Sequence, residues 1–456
     1  MTGRLKAVPR LVTHYPELSG FPMRAPAVLL AVFLAAGSLP AHGQGSLAPN
    51  GAIILASPGG AVAEALSRSP ILRSAAASRQ AVRSEAITAP LRPNPEASVA
   101  VENFGGVGGR GDLRGFRGVE TTVGLSQRLE IGGQRAARIA AAARSGDVAA
   151  LEFEGARLDL ARDVVAALAE AQAASRLVGV ERDRSRLASE TLRVARGRVE
   201  AGREPLLQVQ RAEVARVNAE IAVERARRDE EQALANLAAL IGVPRIELAP
   251  RSAWFEDVGP APRRPVPTDP LARLAGNPDF ARLEAAIAQG SANLALQRSN
   301  AIPDVTVQGY VRRFQESRET ALVAGASIPL QIYDRNQGGI ARAQAELLRA
   351  EAEADRGRRT LAAALLAAEQ RQDLAWRSVQ TLRRDALPAA ENAARFAAGG
   401  FAEGKFGFLE VLDAQRALSD TRASLIEAYR EFHSRRAAAD RLRGTEPPGT
   451  PNGGSR

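Results

Sequence analysis

Two carboxylates one helical turn apart, Glu410 and Asp413, are the residues of this chain best placed to do chemistry. At i and i+3 they share one helix face. In a threefold assembly each becomes a ring of three acids, the usual way of favouring cations at a constriction. The bland alternative is two acids in the first turn of a helix, stabilised by its dipole and by water. Other kinds of chemistry find no residues to use. The chain has no cysteine, which excludes disulfides, thiolate metal sites and a lipidated N-terminal cysteine. No Ser-His-Asp set, catalytic carboxylate pair or metal-ligand cluster stands out, so no catalytic residue, metal site or cofactor is assigned. The run Gly106-Val107-Gly108-Gly109-Arg110-Gly111 is not a phosphate loop, because no Lys-Ser/Thr accompanies it and no strand leads into a helix there.

The elements that must position the acids come from a repeat. Ser69-Pro70-Ile71-Leu72 matches Asn277-Pro278-Asp279-Phe280 and Pro95 matches Pro303, both at an offset of 208. Gly124-Leu125-Ser126 matches Gly325-Ala326-Ser327 at 201, so the first hairpin loop is seven residues longer. Gly202, Leu207 and Val209 match Gly404, Leu409 and Val411 at 202. One unit, a strand pair followed by a long helical hairpin, is used twice. At the same offset Gln208 and Arg211 stand where Glu410 and Asp413 stand, so only the second hairpin carries the acids.

Helices are expected over about 134–201, 205–241, 337–402 and 406–443. The first run has no proline between Pro95 and Pro205 and is rich in Ala, Arg, Glu and Leu, all favourable to helix. Such a helix spans about 100 Å. Gly202 and Gly404 make the reversals, Pro205 suits the start of a returning helix, and Pro388 predicts a kink. Strands are expected over about 96–104, 119–131, 303–314 and 319–332. In the second, Thr121, Val123, Leu125, Leu129 and Ile131 share one face, against Glu120, Thr122, Ser126, Arg128 and Glu130. The chain therefore divides into repeat 1 (61–243), a proline-rich linker (244–276), repeat 2 (277–443) and a tail (444–456) that reads as disordered.

Composition adds the compartment. Residues 1–43 read as a leader: Arg24, the apolar run from Ala27 to Ala36, then Ala41-His42-Gly43 as a cleavage site, with Met23 as an alternative start. No later stretch approaches the roughly 18–20 apolar residues of a membrane helix. After cleavage His433 is the sole histidine and no methionine remains, so a soft-metal relay has nothing to be made of. The net charge of +10 comes almost wholly from arginine, since Lys6 and Lys405 are the two lysines. Spread along helices among Asp and Glu, these arginines read as solvated faces, and no nucleic acid is expected as a partner.

Four half-apolar strands of roughly 9–11 residues suit a bilayer, yet cannot close a barrel by themselves. Pooling strands between copies gives the one sheet a bilayer accepts, apolar outside and without edges. Two copies would supply eight strands and a plugged lumen; three would supply twelve and room for a pore. The helical hairpins would then continue the barrel as a tube reaching about 100 Å into the periplasm.

The segment Phe401-Ala402-Glu403-Gly404-Lys405-Phe406-Gly407-Phe408-Leu409-Glu410-Val411-Leu412-Asp413-Ala414-Gln415-Arg416 resembles the hairpin tip of TolC-like outer membrane efflux proteins. Asn94-Pro95, Glu102-Asn103-Phe104 and Gly124-Leu125-Ser126-Gln127 with Gly132-Gly133 resemble its heavy-metal (CzcC-type) branch. The resemblance covers about residues 61–443. It implies a mainly α fold with a small β part, assembled as a homotrimer with a twelve-strand barrel in outer-membrane lipid and a twelve-helix tunnel. It also implies docking to a periplasmic adaptor and a proton-driven inner-membrane pump. In that family two acids at the positions of Glu410 and Asp413 line the closed periplasmic end. A tyrosine and an arginine often form a latch there; Phe401 and Phe406 replace them, to close by packing or to serve as helix-interface core. Gly202, Arg203, Gly404 and Lys405 are the natural adaptor contact. Divalent cations are the expected cargo. The alternatives are a channel for drugs or secreted polypeptides and, from another class, a periplasmic coiled-coil adaptor or structural protein.

Overall fold

A computed structural model describes residues 53–104, 116–249, 253–262 and 271–446. The expected leader, most of the glycine-rich hairpin loop, part of the linker and the tail from 447 lie outside the described residues. The chain runs β1 (Ile53–Leu55), α1 (Pro58–Arg68), α2 (Pro70–Thr88), β2 (Glu96–Glu102), β3 (Glu120–Leu129), α3 (Gln134–Glu200) and α4 (Leu206–Ile241). It continues with β4 (Ile246–Leu248), α5 (Pro278–Ser299), β5 (Val305–Phe314), β6 (Thr320–Ser327), α6 (Gln337–Thr381), α7 (Leu387–Ala402) and α8 (Phe408–Arg443).

Helix α3 holds the fold together. Its 67 residues contain no proline, and it packs against α1, α2, α4, α5 and α8. Contacts with these neighbours bury Leu160, Val164, Val165, Leu168 and Val178. Alanines such as Ala169, Ala171 and Ala173 are fully or almost fully buried, which lets neighbouring helices approach closely.

The sheet has the order β2-β3-β5-β6, antiparallel throughout. Helices repeat that order: α2 packs on α3, α3 on α5 and α5 on α6. Nearer the tips the neighbours are α4, α3 and α8, with α6 and α7 against α8. Register aligns Val99, Val123, Val311 and Leu322 in one row across all four strands. All four are exposed, Leu322 at 86%. On the opposite face Arg312 reaches Thr122 at 3.1 Å, Glu120 at 3.4 Å and Glu102 at 3.6 Å. The alternation thus yields an apolar face and a face with paired charges. Strands β2 and β6 each have one neighbour and one open edge.

Each repeat is closed by the same clasp. Ser69 and Asn277, both buried, cap α2 and α5, and proline follows each at the first helical position. The Asn277 side chain accepts from Asp279 N at 2.7 Å and donates to the Leu442 carbonyl at 2.7 Å. Gly242 and Gly444 end α4 and α8 in the left-handed region, φ +85 and +74. A Cβ on Gly242 would sit 2.8 Å from Pro70 Cδ; one on Gly444 would sit 2.1 Å from the Gly276 carbonyl oxygen.

Several element ends depart from the sequence expectation. Strand β6 stops at Ser327 rather than near 332, because Pro329 cannot donate to the ladder. Strands β2 and β3 end at Glu102 and Leu129, two residues short. Pro205 precedes α4 as its N-cap instead of opening it, and Gly407 does the same for α8. Before Pro388 the helix widens to π register over Leu382–Ala386. There Leu387 N donates to the Leu382 carbonyl, five residues back rather than four. The linker is also more ordered than expected: β4 pairs in parallel with β1, Ile53 opposite Ile246 and Leu55 opposite Leu248.

Candidate functional site at the helical tips

The two tips are bound together by a small core in which Leu192 and Ala195 of α3, Ala212 of α4, Phe401 of α7 and Phe408 and Val411 of α8 are buried. Gly202 and Gly404 turn the hairpins at φ +69 and +77. At both, an added Cβ would meet nothing closer than Arg198 Nη2, 3.7 Å from Gly404. The turns therefore need glycine for its φ and not for space.

Phe401 and Phe408 are interface core: they are 5% and 2% exposed, with rings 6.1 Å apart edge to face. Phe406 is half exposed and lies over Gly400, where a Cβ would clash with its ring. Arg203 and Lys405 are exposed, and Lys405 pairs with Glu403 at 2.6 Å. Glu410 and Asp413 are exposed on α8. The Glu410 carboxylate lies over the Gly407 backbone, where a Cβ would meet it at 2.7 Å. Asp413 lines a groove of about 580 Å³ between α4 and α8, floored by Ala188 of α3, with Arg184, Arg211 and Arg416 at its sides.

Sequence reasoning missed Arg198. From α3 its guanidinium stacks over the Phe401 ring, 4.3 Å from the centroid, and Nη1 donates to the Phe401 carbonyl at 3.1 Å. Glu204 stands 3.9 Å away on the same tip. The arginine thus ties the first hairpin to the second. At the 202 offset its counterpart is Gly400, and a residue-by-residue comparison of the two tips is the signal that would have found it.

The one histidine among the described residues is structural. His433 is 5% exposed, and its Nε2–H donates to the Phe255 carbonyl at 2.8 Å. Trp254, Phe255 and Phe432 surround it. Burial pushes its pKa down to about 4, so the ring is neutral at physiological pH. Among the described residues no group of His, Asp and Glu side chains could hold a metal ion. No described helix is long and apolar enough to cross a membrane, which says nothing of the sheet.

Comparison with known proteins agrees with this geometry. The cobalt-zinc-cadmium resistance protein CzcC of Cupriavidus metallidurans is 30% identical over 352 residues, 77% of this chain and 81% of its own length. The nickel-cobalt-cadmium resistance protein NccC of Alcaligenes xylosoxydans xylosoxydans is 29% identical, covering 76% of each chain. Among solved structures, the outer-membrane channel OprN superposes with a TM-score of 0.71 at 20% identity, over 85% of this chain and 89% of that one. CusC does so with 0.71 at 17% identity, over 88% and 96%. The family described as outer membrane efflux protein matches residues 61–243 and 272–445. Two matched stretches, one per repeat, take in every strand of the four-stranded sheet and every long helix described above, and on that ground the chain belongs to the outer membrane efflux protein family.

Proposed function

We propose that three copies of this chain form the outer-membrane conduit of a tripartite pump that exports divalent heavy-metal cations. As a family member the chain is an outer-membrane channel protein and not an enzyme. The observation that carries the assembly is the four-stranded sheet with two open edges and an exposed row of Val99, Val123, Val311 and Leu322. An open sheet cannot stand in a bilayer, and pooling twelve strands removes the edges while turning that row to lipid. The helices beneath each sheet then continue the barrel as a twelve-helix tunnel.

In this reading Glu410, Asp413 and Phe406 form the mouth at the periplasmic end. Phe401 and Arg198 hold it from behind. The exposed tips around Gly202, Arg203, Gly404 and Lys405 meet a periplasmic adaptor, which couples the conduit to a proton-driven inner-membrane pump. Metal cargo is supported by the resistance proteins to which the chain is similar. Deleting the gene should lower tolerance to cobalt, zinc or cadmium, and the intact chain should restore it together with heat-modifiable trimers in the outer-membrane fraction. Unchanged metal tolerance with increased drug sensitivity would give the conduit another cargo. Recovery as a soluble protein would end the channel reading.

A further inference from the structure

The groove beside Asp413 is not acidic. Arg211 of α4 and Arg416 of α8 line it with Asp413, all three exposed. Among the described residues none of the three has an ion-pair partner, whereas Arg184 on the same groove is within 3.6 Å of Glu181. Arg211 is the counterpart of Asp413 in the repeat, so the folding of one repeat against the other brings the substituted position and its acidic counterpart into one groove. Arg416 lies one turn beyond Asp413 on the same helix, continuing the row Glu410, Asp413, Arg416 at i, i+3, i+6. Whichever way Asp413 faces in the assembly, these two arginines face with it.

We propose that Arg211 and Arg416 are selectivity-determining residues that neutralise the acidic mouth. This rests on reading Glu410 and Asp413 as part of the conduction path. Per chain the two acids and the two arginines sum to zero, where the acids alone would give a trimer six negative charges. Guanidinium groups stay charged at every working pH, and both arginines line the same groove as Asp413. A passing ion therefore feels both signs together. At about 7 Å in water a single charge changes local ion occupancy roughly threefold. Conduction requires sites weak enough to leave. A bare ring of acids would hold a divalent ion; the balanced mouth lets it pass.

The test uses the full chain in planar lipid bilayers, with reversal potentials in a potassium chloride gradient and block by added cobalt chloride. Wild type should discriminate weakly between potassium and chloride. Arg211→Gln with Arg416→Gln should raise the cation-to-anion permeability ratio by at least about tenfold and lower the cobalt concentration needed for block. Arg211→Lys with Arg416→Lys should behave as wild type, which separates charge from any packing role. Asp413→Asn should shift preference toward anions. A double Gln variant indistinguishable from wild type, in a channel that does respond to Asp413→Asn, overturns the inference and leaves the mouth in place. Strong cation selectivity of the wild type overturns it equally. If Glu410→Gln and Asp413→Asn also change nothing, the acids are not in the conduction path and both readings fall.

Discussion

His433 shows how one residue can be chemically eligible and structurally committed. As the one histidine among the described residues it invites a functional reading. The fold instead surrounds it with Trp254, Phe255 and Phe432 and fixes its Nε2–H on the Phe255 carbonyl. Its folded pKa of about 4 lies below the ordinary value of 6.5. Between those values the unfolded chain binds a proton that the native state does not, so stability falls as pH drops through this window. The full effect is about 3 kcal/mol, complete near pH 4 and absent above pH 7. His433→Gln should flatten the loss of thermal stability between pH 7 and pH 4.5; an unchanged slope would place the acid sensitivity elsewhere. Sequence supplied the histidine and could not supply its burial, because Phe255 lies 178 positions away. Arg198 is less hidden: its partner Phe401 is 203 positions distant, and comparison of the two repeats at the 202 offset is what points to it.

At the scale of elements the sequence was far more legible. Long helices announce themselves by the absence of proline, and strands by alternation, since both are local properties of the chain. What the local pattern could not give was the work done by the glycines that end the helices. Gly404 and Gly444 share a left-handed φ, +77 and +74, but differ in surroundings. A Cβ on Gly404 meets only Arg198 Nη2 at ordinary contact distance, 3.7 Å, whereas on Gly444 it collides with the Gly276 carbonyl. Gly404→Val should therefore cost only backbone strain, roughly 1–3 kcal/mol. Heat-resistant trimers should form and insert, while efflux and adaptor crosslinking are lost through a misshapen tip. Gly444→Val adds a backbone clash at the clasp and should abolish accumulation of the folded chain. Equal yields of the two variants in outer membranes would show that the clasp is not needed. Full efflux by the Gly404 variant would mean that the adaptor does not read this tip. The three-residue strands β1 and β4 stayed invisible because so short a run has no period to detect.

For the whole molecule the deciding quantity is the sheet that one chain leaves unfinished. The alternation and the repeat already indicated four strands with one apolar face; the register adds that Val99, Val123, Val311 and Leu322 fall in a single row. On a soluble protein, Val311 at 47% exposure would accept a charge at little cost, because surface substitutions usually stay within about 0.5 kcal/mol. On a lipid-facing barrel wall, an arginine near the bilayer midplane costs about 2–4 kcal/mol. A trimer carries three copies, so the penalty rises to roughly 6–12 kcal/mol, of the order of an entire folding free energy. Val311→Arg should therefore deplete heat-resistant trimers from the outer membrane. Arg211→Gln, out on the helical tips, should leave them intact. Native mass measurement in detergent should give three copies for the wild type and dissociated or aggregated chains for the sheet variant. A stable wild-type monomer with native secondary structure, or a Val311→Arg protein that assembles and inserts like the parent, would mean that this face meets water and that four strands suffice.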